Sequence, residues 1–255
     1  MKWKIIGEKS IGTSHIQSGK PCEDSISYNL IQENDKEILL CCLSDGAGSA
    51  KYAKDASTLA TTKAVEELTK RILENKRIDE SFILTLAELL YEELVILAKV
   101  SSATLNEYSC TFLGCVLYED SSIFFQIGDG IIIREDGCGN YTTIWLPQNG
   151  EYSNTTTFLI DDSFFGNLKI QKLDQPINEI ALTTDGLQML ILNNETNNIH
   201  KPFLYELFKW LRLADTPEKT NILSKKLAEY LSSEKINTRT DDDKTLFLAT
   251  RLSND

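Results

Sequence analysis

An apolar strand ends on an aspartate in the segment Leu39-Leu40-Cys41-Cys42-Leu43-Ser44-Asp45-Gly46-Ala47-Gly48. A short apolar run of this kind is typical of a buried strand, and Asp-Gly after it is a strong turn signal. The same arrangement recurs where residues 123–127 lead into Gly128-Asp129-Gly130, and where residues 180–184 lead into Asp185-Gly186. The chain therefore predicts several buried strands that end on carboxylates.

The order of the predicted elements indicates the fold class. Helical spacing covers about residues 49–74, 79–99, 201–213 and 217–232, and Asp79 is a good N-cap residue. Strands are predicted at about residues 25–30, 37–43, 109–118, 122–127, 131–134, 141–145, 179–183 and 244–250. Because strands cluster instead of alternating with helices, an α+β fold is favoured over a doubly wound one. We expect two antiparallel sheets flanked by helix pairs, which gives a four-layer α/β/β/α sandwich, and one domain over residues 1–255.

Composition excludes several function classes. The 26 Lys and Arg residues face 38 Asp and Glu residues, so the formal net charge is −12. A nucleic-acid or anionic-membrane binder needs a basic face, so neither class is expected. With only two histidines, His15 and His200, a multi-histidine metal cluster is excluded as well.

The cysteines and the N-terminal residues bear on the cellular compartment. None of the six cysteines is in a C-x-x-C spacing, and Cys41, Cys42 and Cys115 lie in apolar runs where free thiols behave as core residues. The first residues lack the apolar stretch of a signal peptide, and no run approaches the roughly 18 residues that span a bilayer. The expectation is a soluble, reduced protein of the cytoplasm.

The carboxylates at the strand ends are the best candidates for chemistry. The chain lacks the P-loop, G-x-G-x-x-G, H-E-x-x-H and G-x-S-x-G patterns. Asp45, Asp129 and Asp185 follow apolar strands, Asp242 stands just before one, and Glu23-Asp24 precedes another. Carboxylates that converge repel each other and need cations, and oxygen-only ligands select Mg²⁺ or Mn²⁺ over Zn²⁺. Two such ions could activate a water for attack on phosphorus.

A simpler interpretation exists for any single Asp-Gly pair, which can be no more than a hairpin turn. For Asp136-Gly137, followed by Cys138-Gly139-Asn140, that interpretation is preferred. For Asp45 and Asp185 taken one at a time, the turn and the functional interpretation are about equally good.

Six motifs occur in order along most of the chain. They are Gly12-Thr13-Ser14-His15 with Pro21-Cys22-Glu23-Asp24-Ser25, Ser44-Asp45-Gly46-Ala47-Gly48, Ser109-Cys110-Thr111, Gly128-Asp129-Gly130, Thr184-Asp185-Gly186-Leu187 and Asp242-Asp243-Lys244-Thr245. In this order they resemble the metal-dependent protein Ser/Thr phosphatases of the PP2C type. Residues 150–156 are more similar to a bacterial branch of that family than to the eukaryotic one.

The resemblance implies roles for individual residues. Asp45 would bridge two Mg²⁺ or Mn²⁺ ions, and the carbonyl of Gly46 would bind one of them. Asp185 and Asp242 would complete the ligands of the first ion, and Asp45, Asp185 and Asp242 are the expected catalytic set. Glu23 and Asp24 would serve the second ion directly or through water. Asp129 matches a carboxylate that helps to hold a third, weaker ion in some members, and Asp243 would orient the ligands.

The resemblance also implies a reaction and partners, from which the sequence departs at two positions. The expected activity is hydrolysis of phospho-Ser/Thr by a metal-bridging water, and the expected partners are a phosphoprotein substrate and a cognate kinase, with the protein a monomer. An arginine that often binds substrate phosphate would fall at Gly19, and a proposed general-acid histidine falls at Ala47. We expect His15, or else Lys20, to bind the phosphate instead. The alternative is a weak or inactive PP2C-like domain that binds phosphoproteins as a regulatory scaffold.

Overall fold

The computed structural model describes residues 2–33, 35–145, 156–161, 164–193 and 198–252. Most of the segment that resembles the bacterial branch, residues 150–155, lies outside these ranges. In the described part of the chain the helices are α1 (Thr13–Ser18), α2 (Ala53–Leu73), α3 (Glu80–Val100), α4 (Phe164–Asn167), α5 (Gln188–Ile191), α6 (Lys201–Leu213), α7 (Pro217–Leu231) and α8 (Glu234–Asn237). The strands are β1 (Lys4–Ser10), β2 (Ser25–Glu33), β3 (Lys36–Ser44), β4 (Phe112–Leu117), β5 (Ser122–Ile127), β6 (Ile131–Glu135), β7 (Tyr141–Thr143), β8 (Lys169–Leu173), β9 (Glu179–Thr183), β10 (Leu192–Asn193), β11 (Asn198–Ile199) and β12 (Lys244–Thr250).

The chain divides into two compact units, each built on a five-stranded antiparallel sheet. The first unit comprises Met1–Cys22, Ile131–Leu146 and Ile177–Asp255, and the second comprises Glu23–Gly130 and Pro147–Pro176. The prediction of an α+β fold with two antiparallel sheets and their helices is confirmed. The single-domain boundary of 1–255 stays a prediction.

The sheet of the second unit has the strand order β2-β3-β4-β5-β8, and α2 packs on β2 and β3. The buried face of α2 begins with the small residues Ala53, Ala56, Ala60 and Ala64, all fully buried, and ends with the larger Leu68 and Ile72. Small side chains let the helix lie close to the strands. Helix α3 begins after Asp79, whose carboxylate accepts a hydrogen bond from the Phe82 amide at 2.8 Å, as the N-cap prediction required.

The sheet of the first unit has the strand order β1-β12-β9-β6-β7. Helix α7 packs on β1, and α6 packs on β12 and β1. Leu204, Phe208 and Leu211 are the buried residues of α6, at the spacing of one helical face, and they join the apolar residues of the sheet in one core. No helix in the described ranges is long and apolar enough to cross a membrane.

The sequence predictions and the structure differ mainly at polar strands. The predicted strand over residues 109–118 begins only at Phe112. The preceding contacts, an isolated bridge of Cys110 with Gly46 and the bond from the Thr111 amide to the Asp45 carbonyl, lie outside the regular ladder with β3. Strands β1 and β8 were not predicted. Both lie at the edges of their sheets and alternate polar with apolar residues too weakly to be distinguished from loops.

Candidate metal-binding and active site

Four of the predicted site residues lie at one edge of the sheet in the second unit. Ser25 at the start of β2 pairs with Ser44 at the end of β3, so Glu23-Asp24 and Asp45 leave the sheet at the same edge. Phe112 at the start of β4 pairs with Ile127 at the end of β5, which places Asp129 at that edge too. Strand register alone therefore brings together carboxylates that are far apart in sequence.

The backbone around Asp45 is held by hydrogen bonds from both neighbouring strands. The Asp45 amide donates to Thr111 Oγ1 at 2.9 Å, and the Thr111 amide returns a bond to the Asp45 carbonyl at 2.8 Å. The Gly46 amide donates to the Glu23 carbonyl at 3.2 Å. A Cβ at Gly46 would lie 2.6 Å from the carbonyl oxygen of Ala53, so only glycine allows α2 to start this close. These contacts hold Asp45-Gly46 in a fixed position at the sheet edge, unlike the residues of a flexible turn.

Two of the carboxylates at this edge are almost fully buried, and Asp45 and Asp129 are half-buried. Glu23 is 4% exposed and Asp24 1% exposed. Asp129 accepts a hydrogen bond from Thr156 Oγ1 on Oδ2 at 2.6 Å, whereas its Oδ1 is buried and has no hydrogen-bond partner among the described residues. Burying a carboxylate oxygen without a partner is costly unless a cation or a water is bound to it. An oxygen-only donor set fits a hard cation such as Mg²⁺ or Mn²⁺.

The first unit also gathers carboxylates at a single sheet edge. Strand β9 pairs with β12 in antiparallel register, with Thr183 opposite Leu246. Asp185 follows the end of β9 and Asp242 precedes the start of β12, so both lie at the same edge. A Cβ on Gly186 would overlap the carbonyl oxygen of Asp243, so glycine is required for the two segments to lie this close.

Asp243 anchors the loop that opens the first motif. Its Oδ1 accepts from the Gly12 amide at 2.6 Å, and its Oδ2 lies 2.9 Å from His15 Nδ1. The Asp243 amide donates to Asp242 Oδ1 at 2.8 Å. Burial raises the pKa of Asp242, and the nearby Asp243 carboxylate adds to the rise. These contacts agree with an orienting role for Asp243, and the pairing with His15 was missed because nothing in the sequence joins residues this far apart.

The structure gives a local reason for one of the two departures from the family pattern, the one at Gly19. Gly19 ends α1 in the left-handed region at φ +70°, with the Lys20 amide bonded to the His15 carbonyl at 2.9 Å. An arginine at Gly19 would carry backbone strain. His15 is 9% exposed and lies in α1, one turn before this helix end. Ala47 donates its amide to the Ser109 carbonyl at 2.9 Å and has no side chain that could transfer a proton.

The predicted turn at Asp136 is a turn in the structure. Asp136 Oδ1 accepts from the amides of Cys138 and Asn140 at 2.8 and 3.0 Å, and Gly137 and Gly139 have positive φ. Residues of this turn join β6 to β7 and serve the backbone. Asp136-Gly137 is therefore part of an ordinary turn, whereas Asp45-Gly46 lies at the edge where the carboxylates gather.

Neither edge forms a closed cage of protein ligands. Within the part of the chain that the structure describes, no three His, Cys, Asp or Glu side chains form a group that could hold a metal ion by themselves. Mg²⁺ in proteins usually keeps several waters and needs only one or two carboxylates. The buried Oδ1 of Asp129 and the oxygen-only donor sets at both edges fit such an ion.

Comparisons with known proteins agree with the ordered motifs. The sequence pattern of the family described as Protein phosphatase 2C matches residues 11–232. Serine/threonine-protein phosphatase 3 of Escherichia coli (strain K12) is 32% identical over an alignment of 255 residues that covers 98% of this chain and 98% of that one. Among solved structures, the serine/threonine phosphatase Stp1 from Staphylococcus aureus is similar with a TM-score of 0.59, 15% identity, and coverage of 99% of this chain and 96% of that one. RsbX in complex with magnesium is similar with a TM-score of 0.55, 15% identity, and coverage of 97% and 94%.

Proposed function

The chain belongs to the protein phosphatase 2C family, and on that premise we propose that it removes phosphate from phosphoserine and phosphothreonine in proteins, with Mg²⁺ or Mn²⁺ as cofactor. The observation that carries the proposal is the edge of the second unit's sheet, where strand register gathers Glu23, Asp24 and Asp45 and buries two of these carboxylates almost fully. Such a cluster is stable when cations offset the charge repulsion. The solved structure of the relative RsbX with magnesium supports the choice of cation.

The ligand assignment follows the family resemblance residue by residue. We assign Asp45 to both ions and the Gly46 carbonyl to one of them. Asp185 and Asp242 are assigned as further ligands of the first ion, and Glu23 and Asp24 serve the second directly or through water. Asp129, with its buried Oδ1, is assigned to a third, weaker ion. When bound, the ions would supply the activated water and the positive charge that stabilises the phosphoryl oxygens.

The chain's own residues hold these groups in place. Thr111 Oγ1 accepts a hydrogen bond from the Asp45 backbone amide and so fixes the backbone that carries this carboxylate, whereas Thr156 Oγ1 donates to Asp129 Oδ2 and fixes that carboxylate directly. Asp243 is a positioning residue, because its two oxygens hold the Gly12 amide and the His15 ring. A carboxylate only accepts hydrogen bonds, so His15 donates from Nδ1, and in its charged form the ring donates from Nε2 as well.

We assign the phosphate contact to His15 through Nε2, with Lys20 as the second candidate. His15→Ala should raise the KM for phosphopeptide several-fold with little change in Mn²⁺ affinity measured by calorimetry. Asp243→Asn should show a smaller change of the same kind, since an amide keeps one acceptor for the ring. If His15→Ala and Lys20→Ala both leave KM unchanged, the ions and water bind the phosphate without help from this loop. A cognate kinase, a monomeric state and a cytoplasmic location stay predictions.

The competing function is a phosphoprotein-binding scaffold with little or no activity, which the residues at Gly19 and Ala47 favour. Turnover of p-nitrophenyl phosphate with Mn²⁺, its loss with EDTA, and a parallel assay on a phosphothreonine peptide decide between the two. Asp45→Asn should abolish turnover and weaken Mn²⁺ binding in calorimetry, because one carboxylate charge is lost from the site. Asp136→Asn is the matched control, because that carboxylate only bonds the turn backbone. Equal behaviour of the two variants would contradict the ligand assignment.

A further inference from the structure

A groove of about 940 Å³ lies within the first unit, between α5, α6 and α8. Its walls are mainly apolar, and two of its large side chains are open to solvent: Met189 is 65% exposed and Trp210 is 54% exposed. Leu207 and Phe203 lie one and two turns before Trp210 on the same helix and also line the groove. An exposed patch of this kind, in a helix whose other face is fully packed, is typical of a recognition surface.

The charge at the groove is opposite to the charge of the protein as a whole. Lys235 and Arg239 line it, and in the described ranges neither side chain has an ion pair or a hydrogen bond. Glu206, the one carboxylate among the described residues of the lining, is paired with Lys209 at 3.5 Å. A chain of net charge −12 therefore presents two uncompensated cations beside an apolar wall. The complementary ligand carries acidic groups next to apolar ones.

The groove is continuous in sequence with the carboxylate edge of the same unit. Met189 is four residues after Asp185, and Arg239 is three residues before Asp242. Since an extended chain spans at most about 3.6 Å per residue, these side chains start within about 14 and 11 Å of the two aspartates along the backbone. An extended peptide covers such a distance in about three to four residues.

We propose that this groove docks the segment of the phosphoprotein substrate that flanks the phosphorylated residue, and that it selects substrates with acidic and apolar side chains about three to five residues away. The inference rests on the proposed function and deepens it by naming the substrate class. Trp210 and Met189 contact the apolar side chains, and Lys235 and Arg239 attract the acidic ones. An acidic protein otherwise repels acidic substrates, so the local cations decide the selectivity.

The test uses phosphothreonine peptides of equal length. One pair carries Glu, Leu and Asp at the three positions that lie three to five residues from the phosphothreonine, on its N-terminal side in one peptide and on its C-terminal side in the other. The comparison pair carries Lys and Ser at those positions. Phosphate release with Mn²⁺ should favour one of the acidic-apolar peptides by about tenfold in kcat/KM. Trp210→Ala and Arg239→Glu should each remove most of this preference by raising KM, because a few central anchors carry most of the energy of such contacts. Turnover of p-nitrophenyl phosphate should not change, and Lys226→Glu on α7, outside the groove lining, is the matched charge reversal.

A direct binding assay distinguishes an error in the assignment of the groove from an error in the proposed phosphatase activity. The unphosphorylated acidic-apolar peptide should change the fluorescence of Trp210, and the change should be absent in Trp210→Phe. Peptide binding without any phosphate release would support the groove as a docking site and contradict the phosphatase activity. Normal p-nitrophenyl phosphate turnover with no peptide preference and no fluorescence change would overturn the groove. Equal effects of Lys226→Glu and Arg239→Glu would also overturn it, since general charge would then explain the result.

Discussion

A buried ion pair in the first unit gives the sharpest stability prediction. Glu179 at the start of β9 is 0% exposed and accepts four hydrogen bonds: from Arg212 Nε at 2.8 Å and Nη2 at 2.5 Å, from the Tyr141 hydroxyl at 2.7 Å, and from Thr250 Oγ1 at 2.8 Å. The pair raises the pKa of Arg212, and burial with the nearby Glu179 charge raises that of Tyr141. Glu179 is thus satisfied on both oxygens, and Arg212 supplies its only positive charge among the described residues.

Arg212→Leu should lower the free energy of unfolding by about 3–5 kcal/mol, because it leaves a carboxylate buried with only hydroxyl donors. At about 2–4 °C per kcal/mol for a chain of this size, the Tm should fall by about 6–20 °C. Urea unfolding followed by circular dichroism, together with a thermal scan, measures both quantities. Glu179→Leu combined with Arg212→Leu should be less destabilised than Arg212→Leu alone, since no unpaired charge remains.

The control removes a cation from an exposed pair of the same helix. Lys209→Leu breaks the contact with Glu206, which is open to solvent and should contribute no more than about 0.5 kcal/mol. If Arg212→Leu costs no more than Lys209→Leu, the reasoning about the buried pair is wrong. The same conclusion follows if the double variant is less stable than Arg212→Leu.

Three further predictions concern Gly186, Gly19 and the cysteine thiols. Gly186→Ala should lower both the free energy of unfolding and Mn²⁺-dependent turnover, since its Cβ would displace the Asp243 carbonyl. Gly137→Ala in the exposed turn should lower the free energy of unfolding by only about 1 kcal/mol and leave turnover unchanged. Gly19→Arg should lower the KM for p-nitrophenyl phosphate relative to Gly19→Ala. Both substitutions strain the backbone at the same positive φ, and only the arginine adds a cation. Equal KM values would exclude a phosphate near this helix end. In native protein at pH 8, iodoacetamide should label only Cys22 and Cys138, as mass spectrometry can verify, and labelling of more than these two without denaturant would contradict the buried core. The reason is that burial raises the pKa of the other four thiols, to about 12 for Cys110.

Much of the fold could be predicted from hydrophobic patterning. The helix over Lys201–Leu213 and the strands Ser122–Ile127, Glu179–Thr183 and Lys244–Thr250 begin and end where the apolar pattern places them. Strand β1 was missed because its pattern is weak and its pairing with β12 joins the two ends of the chain. Local sequence cannot reveal a partner more than 230 residues away.

The residue types of the candidate site could be predicted from the sequence, but the contacts that hold those residues in place could not. Asp-Gly after an apolar strand drew attention to Asp45 and Asp185, yet only strand register shows that Glu23 and Asp129 share an edge with Asp45. The contacts of Thr156 with Asp129 and of Asp243 with His15 depend on tertiary structure, since each joins distant loops. The groove at Trp210 could not be seen in sequence, because an exposed tryptophan and a buried one give the same helical pattern.

Anomalous diffraction from crystals grown with Mn²⁺ shows whether Asp45 binds the metal ion. The ligand assignment predicts a manganese peak within direct coordination distance of the Asp45 carboxylate. The peak should be lost in Asp45→Asn crystals and unchanged in Asp136→Asn crystals. Crystals of protein that turns over phosphopeptide with Mn²⁺, yet show manganese elsewhere and none at Asp45, would contradict the assignment.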